Sequence, residues 1–239
     1  MAEAVGLKSF APGGVAAVFG ASGGIGRALV ATLVAGGRFG AVLAFGRREG
    51  LPFDLADEAS IAAAAAKVAA AGDVRLAIDA TGLLHHAGTG PEKTWRDLDA
   101  ARLAEAFAVN AIGPALLMKH LLPHLPRTGK AVFATLSARV GSIGDNRLGG
   151  WYGYRASKAA LNQFVRTAAV ELARRAPQAI CVALHPGTVA TPLSAPFTRP
   201  DQDVHAPGQA ARHLLDVIDG LGPEASGGFF DWRGDPVPW

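Results

Sequence analysis

Val15-Ala16-Ala17-Val18-Phe19-Gly20-Ala21-Ser22-Gly23-Gly24-Ile25-Gly26 is an apolar run that breaks into a glycine-rich turn and opens a helical stretch. Five apolar residues with no polar alternation read as a strand buried on both faces. Gly20 permits the tight turn, and Gly24 and Gly26 remove side chains where a pyrophosphate and a neighbouring strand come close. Ser22 and Ile25 sit in the same turn, where free N–H groups and the positive helix end attract phosphate. A glycine-rich turn alone is weak evidence. Between a strand and a helix it reads as a dinucleotide cradle, with a purely structural turn as the alternative.

Outward from this turn, apolar runs alternate with helical stretches. The helix from Gly24 to Ala35 stops at Gly36-Gly37. Strands are expected at Ala41–Phe45, Leu51–Leu55, Val74–Ala80, Lys130–Ser137, Ala179–His185 and Gly228–Asp231. Helices are expected at Glu58–Ala71, Trp95–Phe107, Asn110–Leu122, Tyr152–Arg175 and Gly208–Ile218. This is the pattern of an α/β fold, a doubly wound Rossmann-type domain. Its mostly parallel seven-stranded sheet would carry helices on both faces. One domain covering residues 1–239 is expected.

Only Arg47 to Gly50 separates the second strand from the third. Parallel neighbours normally need a crossover helix. Here either that helix is reduced or absent, or the third strand is poorly formed. The stretch from Pro186 to Pro207 lacks periodicity and is long for a connection, so a functional loop is expected there.

Half the residues are hydrophobic and 18% are charged, as in a compact globular protein. The net charge of +3 is scattered along the chain, which excludes the basic stripe that nucleic-acid binding needs. The single Cys181 lies in the apolar run of the sixth strand and reads as a core residue. No signal peptide and no apolar stretch of about 20 residues is evident, so a cytoplasmic protein free of the membrane is expected. His85-His86 lacks a third ligand at metal-like spacing, so no metal is expected.

The end of the second strand selects the cofactor. An acidic side chain there would hold the ribose 2′-hydroxyl of NAD(H). The chain instead has Gly46-Arg47-Arg48, and two guanidinium groups suit the 2′-phosphate of NADP(H). Asp54-Leu55 follows the third strand, where a carboxylate can accept from the adenine amino group.

Tyr154 and Lys158 lie four residues apart, about one helical turn, so their side chains share a face. A cation favours the phenolate, so the phenol is expected to fall from about 10 toward the working pH. Such a tyrosine can give a proton to a carbonyl oxygen or take one from an alcohol. Tyr152 has Ala156 at the same spacing and no such partner.

The glycines at 20, 24 and 26, the Tyr154/Lys158 pair and the Pro186-Gly187 turn together resemble the short-chain dehydrogenase/reductase family along nearly the whole chain. Ser137-Ala138-Arg139-Val140-Gly141-Ser142-Ile143, Trp151 to Lys158 and Ala80-Thr81-Gly82-Leu83-Leu84-His85 resemble its bacterial C-factor-like subgroup. The resemblance implies an NADP(H)-dependent enzyme interconverting a small carbonyl and its alcohol. Tyr154 would be the general acid/base, and Lys158 would lower its pKa and hold the nicotinamide ribose. Asn110 would hold a proton-relay water, and Thr81 and Gly82 would flank the adenosine. Pro186, Gly187, Thr188, Val189 and Thr191 would hold the nicotinamide. A homodimer or homotetramer pairing through the helices that start near Asn110 and Tyr152 is also implied.

Two positions depart from the family. The serine slot before Arg139-Val140-Gly141 is Ala138, leaving Ser137 favoured over Ser142 as the site serine. Asp79 replaces an asparagine, with a backbone-binding role one possibility. Both departures keep an alternative open, a non-catalytic NADP-binding or signalling protein of the same fold. The apolar tail from Phe229 to Trp239 covers either its own core or a partner.

Overall fold

β1 (Val15–Phe19) is buried along its whole length, and its side chains divide between two cores. Val15, Ala17 and Phe19 enter one apolar cluster, and Ala16 and Val18 enter the other. This is the period-two alternation of a strand covered on both faces. The computed structural model describes residues 5–47, 50–85, 90–197 and 203–239.

Around β1 stand β2 (Ala41–Gly46), β3 (Leu51–Pro52), β4 (Val74–Asp79), β5 (Ala131–Leu136), β6 (Ala179–His185) and β9 (Phe229–Asp231). They form a seven-stranded sheet in the order β3-β2-β1-β4-β5-β6-β9, and every neighbouring pair is parallel. On one face, α2 (Glu58–Ala70), α4 (Gly113–Leu121) and α5 (Tyr152–Arg175) contribute Ile61, Leu117 and Leu161 to the core. On the other, α1 (Gly24–Gly36) and α6 (Pro207–Gly220) contribute Leu29, Leu33 and Leu214. Fully burying a leucine stabilises the fold by roughly 1.5–3 kcal/mol, so these layers carry the fold.

Among the described residues no helix stands between β2 and β3. β3 pairs with β2 through only Phe45↔Leu51 and Gly46↔Pro52, so the third strand is two residues long where five are expected. Gly50, at φ +82°, turns the chain against the Ala44 carbonyl, where a Cβ would sit 2.3 Å away. Stacking of Phe19 on Phe45 at 4.8 Å and the edge contact of Phe53 at 5.2 Å hold this sheet edge.

Two expected helices are segmented. Trp95–Asp97 is a short 3-10 turn, capped by Thr94, and α3 covers Ala100–Phe107 from an Asp99 cap. Ala108–Ile112 is a π turn that joins α3 to α4. The whole helical run Ala100–His124 is 25 residues, long and apolar enough by length and composition to cross a membrane, contrary to the sequence expectation. Arg102, Glu105 and Lys119 interrupt the apolar pattern in the sequence. In the fold, Leu117 and Leu121 are buried against the sheet.

The aperiodic stretch after β6 contains a small ribbon, β7 (Thr188–Val189) beside β8 (Val204–His205), which the sequence did not suggest. The C-terminal tail covers its own core. Val237 N–H donates to the Phe229 carbonyl at 2.8 Å, and the Trp239 ring stacks on Phe229.

Candidate active site

The sheet order reverses between β1 and β4, leaving a crevice at their carboxyl ends where doubly wound folds bind ligands. The glycine turn lies there. Gly20 has φ +82°, and a Cβ on it would sit 2.9 Å from the Ala80 carbonyl carbon. A Cβ on Gly26 would sit 2.2 Å from the Gly20 oxygen. Gly24 faces the Thr191 methyl, where a Cβ would be 2.7 Å away. α1 starts at Gly24, its N-cap Gly23 offering no side-chain cap and its first turn no acidic residue, which suits an anion. Ser22 and Ile25 are half-buried in this turn.

Arg47 is exposed just beyond β2, and its predicted companion Arg48 lies outside the described residues, as does His86. Asp54 is exposed after β3 and caps its own turn, with Oδ1 accepting from Ala56 N–H at 2.9 Å. Leu55 packs against Gly113, where a Cβ would sit 2.4 Å from its Cγ. Gly187, at φ +77°, faces His205 and Trp232 closely enough to exclude a Cβ. Thr188 and Val189 form β7, and Thr191 N–H donates to Ser194 Oγ at 3.2 Å. The cradle and the uncapped helix end therefore fit a dinucleotide.

The Tyr154/Lys158 pair occupies the first two turns of α5. Trp151 caps that helix in the left-handed region (φ 54°, ψ 42°), a strained conformation for an aromatic residue. Two contacts hold it. Trp151 N–H donates to the Glu92 carbonyl at 2.5 Å, and Gly153 N–H donates to Glu92 Oε2 at 3.1 Å. Arg155 donates to the Gly150 carbonyl at 2.9 Å and to the Val140 carbonyl at 3.3 Å, fixing the preceding loop.

Lys158 is buried, and its Nζ donates to the Leu136 carbonyl at 2.8 Å. The same Nζ lies 6.0 Å from the Tyr154 ring centroid. Burial pushes the ammonium down to about 8. Burial also pushes the Tyr154 phenol up to about 12, whereas the spacing alone predicts a fall. Tyr154 keeps part of its surface open to the crevice, so this push is weaker than in a sealed core. Loss of water outweighs a cation that is engaged with a carbonyl.

Asn110 sits in the π turn and is fully buried. Its Oδ1 accepts from Leu83 N–H at 2.8 Å, and its Nδ2 donates to the Leu83 carbonyl at 2.8 Å and to Ser157 Oγ at 3.1 Å. A Cβ on Gly82 would be 3.7 Å from Asn110 Oδ1 and 3.9 Å from Lys158 Nζ, so these groups meet at one point. Thr81 is tied to Asp79, which accepts from its N–H and its hydroxyl.

The two candidate serines differ in their hydrogen bonds, Ser137 Oγ donating and Ser142 Oγ accepting. Ser137 is buried and donates to Asn162 Oδ1 at 2.7 Å. It follows β5 one residue before the Ala138 slot, where the backbone is still extended and consecutive side chains face opposite sides. Ser142 Oγ is buried too and accepts from Asp145 N–H at 3.1 Å.

Leu83, Leu84, His85, Glu92 and Gly153 line a small cavity beside Tyr154. Trp151 packs edge-on against Tyr154 at 6.3 Å and Phe197 at 5.3 Å, and Phe197 meets His85 at 5.4 Å. Arg139 points elsewhere, to Asp145 and Asp231, and Ile143 is exposed. Glu92 and Asn162 were missed as site residues: Glu92 lies in no periodic pattern, and Asn162 sits on the buried face of α5, where helical spacing alone does not mark it. Phe197 belongs to the long stretch after β6, where a functional loop is expected.

A family model described as enoyl-(acyl carrier protein) reductase, of the short-chain alcohol dehydrogenase type, matches residues 20–214. The C-signal of Myxococcus xanthus is 43% identical over 143 residues, covering 60% of this chain and 82% of that protein. A 1-hydroxy-2-glutathionyl-2-methyl-3-butene dehydrogenase of Rhodococcus sp. (strain AD45) is 34% identical over 190 residues, 78% of each chain. The NADPH-bound carbonyl reductase from chicken fatty liver superposes with a TM-score of 0.83 at 28% identity, covering 96% of this chain and 100% of that one. The glycine cradle, the parallel sheet and the tyrosine–lysine helix thus converge with these likenesses: the chain belongs to the short-chain dehydrogenase/reductase family, with a C-factor relative among its kin.

Proposed function

We propose that the protein is an NADP(H)-dependent oxidoreductase that interconverts a carbonyl and an alcohol, with Tyr154 as the proton donor and acceptor. The observation that carries this reading is the phenol and buried ammonium on one face of α5, beside the loop after β4 that also meets the glycine cradle: a Cβ on Gly20 would sit 2.9 Å from Ala80, and one on Gly82 would sit 3.9 Å from Lys158 Nζ. The NADPH-bound state of a structural relative supports the cofactor.

A bound nicotinamide would supply the hydride. Tyr154 protonates the carbonyl oxygen during reduction and takes the proton back during oxidation. Lys158, as the ammonium, draws the phenol down from its raised value and reaches the nicotinamide ribose. Asn110 holds Leu83 and Ser157 in place, which fixes the loop and the helix turn that flank the lysine. Arg47 and Arg48 receive the 2′-phosphate, and Thr188 and Thr191 the carboxamide. Ser137 keeps its hydroxyl on Asn162 and so positions α5 against β5 instead of touching substrate.

A second reading has one observation in its favour, the likeness to C-signal together with Ala138 in the serine slot. It is an NADP-binding signalling protein without turnover. NADPH oxidation across a panel of ketones and aldehydes, set beside NADPH binding, separates the two. Turnover of at least one carbonyl supports the enzyme. Tight binding with no turnover of any carbonyl overturns it.

A further inference from the structure

Asp79 is a carboxylate with 1% exposure in the middle of the sheet. It ends β4, opposite Thr135 of β5 in register. Its Oδ1 accepts from Thr81 N–H at 3.0 Å and from Thr81 Oγ1 at 2.6 Å, and its Oδ2 accepts from Thr135 Oγ1 at 2.7 Å. Three donors meet its oxygens, which suits the ionised form. Such a charge is costly to bury alone.

The opposite charge lies close by. The Leu136 carbonyl, one residue beyond Thr135, accepts from Lys158 Nζ at 2.8 Å. Gly82, three residues beyond Asp79, is the residue whose Cβ would meet that Nζ at 3.9 Å. The ends of β4 and β5 therefore bring the carboxylate and the ammonium to one dry compartment, joined through Thr135 and the backbone at Leu136. Other charges point away. Arg139, on the turn packed against Lys158, pairs with Asp145 and Asp231. Tyr154, on the same helix, is the remaining titratable group beside Lys158. Burial pushes the Asp79 carboxyl up and the Lys158 ammonium down, and in each case the other is the charge that opposes the push.

We propose that Asp79 is a positioning residue for the reaction, the buried counter-charge that keeps Lys158 protonated beside Tyr154. It touches neither substrate nor cofactor and acts through the lysine. This rests on the role given to Lys158 above, so the test has a reading that needs no turnover.

The experiment is carbon-13 NMR of the full chain carrying lysine labelled at the ε-carbon, titrated through the alkaline range. The Lys158 signal is assigned by its loss in Lys158→Arg. In the parent protein its midpoint is expected near about 8. In Asp79→Asn, which keeps the side chain's shape, the midpoint moves to lower pH. The alkaline limb of the kcat profile moves with it, and above the midpoint each unit of fall costs about tenfold in turnover. Thr135→Val, which removes one of the donors that favour the Asp79 carboxylate, moves the midpoint in the same direction by less, because part of the carboxylate then takes up a proton. An unmoved midpoint in folded Asp79→Asn overturns the proposal. If Asp79→Asn does not fold, an unmoved midpoint in Thr135→Val overturns it. A shifted midpoint alongside full turnover in Tyr154→Phe keeps the charge pair and defeats the functional reading instead.

Discussion

Ser137 and Ala138 show how far a single residue shifts a site. The serine resides one position before the family slot, and a strand sends consecutive side chains to opposite faces. Its hydroxyl accordingly meets Asn162 of α5. Ser137→Ala should therefore lower stability by about 1–2 kcal/mol, read as a urea midpoint, because Asn162 loses its donor. Its kcat should change only a few-fold. A loss of 100-fold or more would return the hydroxyl to the substrate oxygen, where such contacts are worth roughly 2.7–4 kcal/mol. Arg47 is a simpler case, exposed just beyond β2 in Gly46-Arg47-Arg48. Arg47→Glu should weaken NADPH binding by about 10- to 100-fold while leaving NADH binding level or improved, since a charge-assisted contact to phosphate is worth about 1.5–3 kcal/mol. Equal losses for both cofactors would contradict that assignment. The phenol of Tyr154 was less readable. Spacing shows which cation lies near, but not how much water burial removes.

Elements with strong periodicity could be read directly. α5 begins at Tyr152 and ends at Arg175, as expected, because Leu161, Val165, Ala169 and Leu172 recur at helical spacing on its buried face. The π turn around Asn110 could not be read, since nothing in Ala108-Val109-Asn110-Ala111-Ile112 marks a change of helical pitch. The cause lies outside the segment, in Leu83, whose backbone N–H and carbonyl both bond to the Asn110 side chain. The β7–β8 ribbon was hidden for the same reason, as two residues per strand leave no pattern. The turn between β1 and α1, by contrast, is written in its glycines. Gly26→Ala places a Cβ 2.2 Å from the Gly20 oxygen, a contact that only a shift of the turn relieves. NADPH binding should fall by at least about tenfold, with α1 displaced or the protein destabilised by about 1–3 kcal/mol. Calorimetric titration of NADPH checks this, and unchanged affinity would contradict the cradle.

At the scale of the molecule, the parallel sheet brings together groups from β4, β5, α4 and α5 that are far apart in sequence. The parallel seven-stranded architecture was legible from the alternation of apolar runs. The tail was not, because its apolar residues fit either its own core or a partner. The fold also buries charges and imidazoles that make stability depend on pH. His185 ends β6, facing Arg139, Asp231 and His205, and burial holds its imidazolium down to about 4. As pH falls below about 6.5, the unfolded chain takes up this proton first. The fold should then lose up to about 3 kcal/mol between pH 6.5 and 4, and His185→Asn should flatten that part of the urea-midpoint profile. An unchanged slope in that variant would assign the loss to other groups. The central claim is that the crevice is a hydride-transfer site whose proton comes from Tyr154. The most direct measurement is NADPH oxidation by Tyr154→Phe with a carbonyl that the parent protein reduces, taken together with NADPH affinity. Turnover should fall by at least about 100-fold, within the range general acid catalysis supplies, with affinity held within a few-fold. Turnover retained at the parent level would contradict the account.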